Sequence, residues 1–197
     1  MSEKEWVELI IGEIGKKLRK TDAHIEAVVG RHIAYANEVL SYGKDNKPKE
    51  IKSVEYETDI LIYEKFENET WKPRVVVEAK LGKITTHDAI TYSQKASAHK
   101  YVHPYLRYGI IIGNRKHYPL PGRLFRHGQH FDFMASWKAI DATSKEFREL
   151  IEVLNLEIEA SRKLEEMMFN SRMKDRGHYS LLHKPLVLKS LSISKSK

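Results

Sequence analysis

The sequence predicts an α/β fold, a mixed β-sheet sandwiched between helices. Three observations carry that expectation. Both ends of the chain have apolar residues at helical spacing, and the middle shifts to runs rich in β-branched residues. The third is "RYGIIIGN" (107–114), apolar or glycine on both faces, as a fully buried central strand requires. A chain of 197 residues, 41% of them hydrophobic, suits one domain with a real core.

Taken in order, residues 4–18 set Trp6, Leu9, Ile10, Ile14 and Leu18 at helical spacing. A second helix is expected over about 23–41 behind Asp22 as its cap, with the stripe Ile25, Val28, Val29, Ile33, Ala36, Val39 and Leu40. The polar stretch GKDNKPKE (43–50) then breaks the helix as a loop. "SVEYETDILIYEKF" (53–66) and "KPRVVVEAKL" (72–81) read as strands, joined through the polar turn "FENET" as an antiparallel hairpin. A third helix begins at Thr85 or Thr86 and runs to about Lys100, its small residues Ser93, Ala96 and Ser97 suiting close contact with a sheet. Beyond the buried strand, "RKHYPLPGRLFRHGQH" is a loop dense in Arg, His, Pro and Gly. "FDFMASW" (131–137) alternates as one more strand, and 144–171 is a long apolar-striped helix that either folds back on its own domain or packs on a second subunit. The end, "KPLVLKSLSISKSK", is basic and serine-rich and is expected to be mobile.

Charge narrows the partner class. A formal net charge of +7 and a pI near 9.3 favour a polyanion, nucleic acid above all. With no cysteine there is no disulfide, thiolate zinc site or cysteine nucleophile, so any metal must be held by oxygen or histidine nitrogen. The ten histidines show no paired spacing that reads as a zinc site. No apolar stretch approaches the roughly 20 residues of a membrane span, and the start is not a signal peptide. An intracellular, cytoplasmic protein with no membrane contact is expected.

The chemistry is concentrated in the hairpin. Side chains alternate along a strand, so Glu78 and Lys80 project from one face about 6.5–7 Å apart. A turn centred on Asn68–Glu69 sets Asp59 directly opposite Glu78, with Cβ atoms roughly 4.5–5.5 Å apart. Two carboxylates at that distance repel unless a divalent cation lies between them, and Mg²⁺, which takes one or two carboxylates and keeps water, suits the pair. The Ala79 carbonyl is a further possible ligand. Lys80 would orient an attacking hydroxide or stabilise phosphoryl charge, which is machinery for cutting phosphodiesters. The plain alternative is a surface hairpin with a cross-strand salt bridge from Lys80 to Asp59 or Glu78.

The set "TDILIY…RVVVEAK", with a helix before it and a helix and buried strand after it, resembles the PD-(D/E)xK nuclease superfamily, which includes most type II restriction endonucleases. The resemblance spans about 22–114, and Thr58 stands where the motif has proline. It implies a restriction endonuclease-like αβββαβ core, preceded by the N-terminal helix and followed over 115–197 by the basic loop, extra strand, long helix and basic tail. It also implies Asp59 and Glu78 as ligands of one or two Mg²⁺ ions, the Ala79 carbonyl as another ligand, and Lys80 as the catalytic lysine. Many members add a glutamate from the first core helix, here Glu26 or Glu38; Glu26 lies nearer the apolar stripe and Glu38 should face solvent. Others use a polar residue from the helix after the lysine strand, here Gln94, with Lys95 read as a surface or phosphate-contacting charge.

Arg115, Lys116, His117, Arg123 and Arg126 crowd the basic loop and are candidates for phosphate contact or base readout, a structured connector being the alternative. His87 stands close enough after the lysine strand to approach a phosphate. The expected activity is a Mg²⁺-dependent DNA endonuclease, a sequence-specific type II restriction enzyme acting on double-stranded DNA as a homodimer. The alternatives are a structure-selective Holliday-junction resolvase or repair nuclease, and a non-catalytic DNA-binding module on the same fold.

Overall fold

The computed structural model describes residues 1–116, 120–169, 182–183 and 186–188. Helix α1 (Glu3–Thr21) opens with a capping box, in which the Ser2 hydroxyl accepts from the Glu5 amide and the Glu5 carboxylate accepts from the Ser2 amide. It buries Trp6, Val7, Ile14 and Leu18 and ends at Asp22.

The expected helix over 23–41 does not form. Strand β1 (Ile25–Val29) and the first part of β2 (His32–Tyr42) occupy that stretch. Asp22 closes α1 instead of opening a helix: its amide donates to Leu18 O, and its carboxylate accepts from the His24 amide. Gly30, at φ +69, turns the chain in the middle of the supposed stripe, and its amide donates to Thr58 O. The β-branched residues on either side then join two different ladders, a tertiary choice that local helical spacing does not register.

Residues 53–66 likewise divide. Strand β3 (Pro48–Glu57) pairs with β2 as a separate two-stranded ribbon, and β4 (Ile60–Lys65) resumes in the main sheet after a break at Thr58–Asp59. The polar stretch 43–50 supplies the ribbon's turn, with Asn46 in the left-handed region at φ 59, and the first residues of β3.

Strand β5 (Trp71–Leu81) pairs antiparallel with β4. The expected register holds from Ile60↔Val77 to Ile62↔Val75, then slips by one residue to Tyr63↔Pro73. Pro73 has no N–H to give the ladder, which accounts for a bulge at that place. Helix α2 (Thr86–Val102), capped by Thr85 with Asp88, leads into β6 (Arg107–Gly113), parallel to β5. Short α3 (Gly122–His127) forms within the expected loop, β7 (Phe133–Ser136) adds a parallel edge strand, and α4 (Ser144–Phe169) closes the succession. The last expected helical residues, 170–171, and most of the basic end lie outside the described residues.

The fold is α/β. One mixed five-stranded sheet, in the order β1-β4-β5-β6-β7, is flanked by helices. Alternate residues divide two cores. Ile60, Ile62, Val75, Val77 and Ala79 meet Trp6, Ile14, Leu150 and Leu154 from α1 and α4, while Leu61, Val76, Tyr108 and Ile110 meet Ala89, Ala96 and Leu124 from α2 and α3. The αβββαβ succession is therefore α1, β1, β4, β5, α2, β6, with the β2–β3 ribbon inserted between β1 and β4.

Candidate active site

Strand β5 carries Val76, Glu78 and Lys80 toward the α2 side. Because β5 and β6 run parallel, their C-terminal ends share one edge of the sheet, and the Gly82 amide joins them through Gly113 O at 2.7 Å. Asp59 stands at the same edge, just before β4 begins, and its Oδ2 accepts from the Ala79 amide at 2.8 Å. That bond continues the hairpin register by one side chain where the ladder stops.

Glu78 is fully buried. Its Oε1 accepts from the Tyr108 hydroxyl and pairs with Lys95 Nζ at 2.9 Å, while Oε2 has no hydrogen-bond partner among the described residues. Burial pushes its pKa up to about 7, with Lys95 opposing the rise and the charge of Asp59 adding to it. An unpartnered buried carboxylate oxygen is costly unless something completes it.

Lys80 is fixed from two sides. Its Nζ donates to Glu3 Oε2 at 3.0 Å and lies 5.3 Å from the centre of the Tyr92 ring. Burial penalises the ammonium, but its interactions with Tyr92 and Glu3 outweigh that penalty, and its pKa is raised. Glu3 also accepts weakly from the Leu81 amide, at 3.4 Å. The first turn of α1 therefore touches the end of the lysine strand.

The structure brings Asp59, Glu78 and Lys80 together; at Ala79 the contact observed is made by the amide. Glu26 is elsewhere. It lies on β1, accepting from Tyr63 OH at 2.5 Å and pairing with Lys65 at 2.7 Å, opposite a residue four positions along β4 from Asp59, about 13 Å away. Glu38 is exposed on the ribbon, and Gln94 is exposed on α2. The side chain from α2 that does reach the site is the next one, Lys95, which spans Glu78 and Glu57 O at 2.6 Å. His87 is exposed in the first turn of α2, 3.4 Å from the Thr91 hydroxyl.

Of the basic loop, Arg115 follows β6 at the site's edge, its amide donating to Trp137 O, and Lys116 beside it is exposed. Arg123 donates to Ile84 O at 3.1 Å, tying α3 to the turn after β5, and Arg126 is exposed. His117 lies outside the described residues. Two surface hollows, one bounded by Arg31, Tyr63 and Trp71 and the other by Lys72, Arg74 and Tyr105, sit toward the hairpin end of β4 and β5, away from Glu78.

Sequence reasoning missed Glu3, Tyr92 and Tyr108, and read Lys95, which reaches Glu78, as a surface or phosphate-contacting charge. The available signal was that α1 is itself the helix before the first core strand, which would have directed the search to its acids. Among the described residues no group of three or more His, Asp or Glu side chains converges as a complete metal cage. Two carboxylates, one with a bare buried oxygen, are nonetheless a donor set that fits a hard cation retaining several waters. No known family model matches the chain, and no curated protein matches it.

Proposed function

We propose that the protein is a Mg²⁺-dependent DNA endonuclease, sequence-specific in the manner of a type II restriction enzyme. The observation that carries this reading is the bare Oε2 of buried Glu78, set beside Asp59 and followed on the same strand by a permanently charged Lys80. Asp59, Glu78 and the Ala79 carbonyl would hold the ion. Bound there, Mg²⁺ supplies a water of lowered pKa and offsets phosphate charge.

The chain's own residues do the rest. Lys80 directs its ammonium at the scissile phosphate and at the attacking water, and Glu3 and Tyr92 keep it aimed. Lys95 and Tyr108 favour the ionised form of Glu78, the form that binds a cation. Arg115, Lys116, Arg123 and Arg126, from the basic segment that follows β6, would contact the phosphates of a bound duplex. A two-fold pair of copies would cut both strands of a palindromic site.

Supercoiled plasmid, linear duplex and a four-way junction incubated with Mg²⁺ test the proposal, with EDTA and Lys80→Ala as controls. Discrete plasmid fragments, lost with EDTA and reduced roughly 100-fold or more in the variant, are expected. Selective junction nicking would replace sequence-specific cleavage with structure-selective cleavage. DNA binding without any Mg²⁺-dependent cut would leave only a binding module.

A further inference from the structure

The β2–β3 ribbon leaves the main sheet between β1 and β4, two residues before Asp59. Its root is anchored: Ile33 is buried, Tyr35 stacks on Tyr56 at 3.7 Å, Tyr56 meets the edge of His99, and Lys95 holds Glu57 O. Beyond the root, no hydrogen bond or ion pair among the described residues ties it to the rest of the fold. Every residue from 37 to 53 except Gly43 is exposed, including Val39, Leu40, Tyr42 and Ile51. A two-stranded ribbon with no covering layer is marginal in water, so the projection calls for a partner.

Resting on the endonuclease reading above, we infer that the outer half of this ribbon is an arm that lies along the substrate duplex beside the cut site. Three features select duplex DNA as the occupant. The seven residues from Ala36 to Tyr42 extend roughly 23 Å before the turn, about two-thirds of one turn of the double helix, and a two-stranded ribbon fits the major groove. Register shifts at Ala34/Ala36, Val39/Ser41 and Ser41/Tyr42 increase its twist, as following a groove requires. The outer half carries Lys44, Lys47, Lys49 and Lys52 against Glu38, Asp45 and Glu50, with Glu38 opposite Lys52 in the register, and none of the four lysines is in an ion pair among the described residues. A second copy laid alongside would bring the same four lysines together, with Glu38, Asp45 and Glu50 offsetting only part of their charge.

Duplex binding without Mg²⁺ is measured by fluorescence anisotropy from low to moderate salt, for wild type and two variants confirmed as folded by circular dichroism. In one variant Lys44, Lys47, Lys49 and Lys52 become alanine; in the other Lys16, Lys17, Arg19 and Lys20, on the far turns of α1, become alanine, removing the same charge. The ribbon variant should lose tenfold or more in affinity, and its log–log salt slope should fall by about 3–4, near 0.9 per lost phosphate contact. The α1 variant should keep the wild-type slope. A chain in which residues 38–52 are replaced by Asn-Gly should reproduce the ribbon variant. Equal slopes for ribbon and α1 variants, with wild type still cutting plasmid, overturn this inference alone, and no duplex binding by wild type overturns it together with the endonuclease reading. A wild-type dimer that sediments as monomer after ribbon replacement, with unchanged DNA affinity per chain, would assign the ribbon to a second copy and likewise overturn it.

Discussion

At the scale of single residues, the site depends on charges held in place by fixed partners. Glu3 illustrates it, since its carboxylate is the partner that aims Lys80. Glu3→Ala should slow cleavage roughly ten- to hundredfold while leaving the melting temperature nearly unchanged, because Glu3 is half exposed and α1 keeps its capping box. A loss of fold instead of rate would show that Glu3 is structural. His99 gives a prediction in pH. Its ring is fully buried between Tyr56 and Tyr108, and burial, aided by Lys95 and His103, brings its pKa down to about 4 from 6.5. The folded form therefore resists the proton: the stability of the neutral ring is fully present above pH 6.5 and is lost as pH falls toward 4, by ~3 kcal/mol. Glu78 runs the other way, its raised pKa making its contribution complete below about 4.5 and lost as pH rises through 7. The net wild-type melt mixes the two, so the useful quantity is the difference between His99→Phe and wild type. That difference should move in favour of the variant between pH 7 and pH 5; a constant difference would remove His99 from the account.

At the scale of elements, the site depends on α1 lying flat against the end of the sheet. Gly113 makes this possible, for a Cβ there would stand 2.4 Å from the Trp6 ring, and that ring's Nε1 donates to Ile140 O at 3.0 Å. Gly113→Ala should cost about 1–3 kcal/mol in denaturant unfolding and lower cleavage further by shifting Glu3 from Lys80. Full stability in the variant would mean that α1 moves freely. Element identity was legible where the pattern was local and unambiguous. The valine run of β5 and the doubly buried β6 formed as read, Thr85 is the one of the two expected residues that caps α2, and the register of β4 on β5 held up to the proline. The stretch 23–41 was not legible, because Ile25, Val28, Val29 and Ile33 satisfy helical spacing as well as strand burial, and only pairing of β1 with β4 and of β2 with β3 decides between them. That error carried Glu26 onto a helix that does not exist. The step from Gln94 to Lys95 is smaller, one residue of helix phase, and the long lysine stem reaches a buried acid from a flank where glutamine stays in solvent.

At the scale of the whole molecule, the far end of the sheet is stitched by charges that have no place in the proposed chemistry. Helix α4 folds back on the sheet through Leu150, Leu154 and Ile158, and its last turns are tied down by ion pairs. Arg162 reaches Asp22 and Glu64, each at 2.6 Å, while Glu165 pairs with Lys72 and Arg74. The helix is thus long because it must cross from the Trp137 end of the sheet to the hairpin end, and its length alone gives no support to a second subunit. Among the described residues, no helix is long and apolar enough to cross a membrane. Arg74 is the centre of the clamp, nearly fully buried and bound to both Glu64 and Glu165 at 2.6 Å. Arg74→Leu would strip a buried cation from two acids, leaving Glu64 with Arg162 and Glu165 with Lys72, and should cost about 3 kcal/mol in urea unfolding. Arg74 and Glu78 are four residues apart on β5, about 13 Å, and the strand between them stays pinned by its valines. Plasmid cleavage by Arg74→Leu at a temperature well below its melt should therefore match wild type, with the two activities separating only as the variant unfolds on warming. Lost cleavage in the cold, folded variant would show that the clamp and the site are coupled through β5, and that the two ends of the sheet do not act independently.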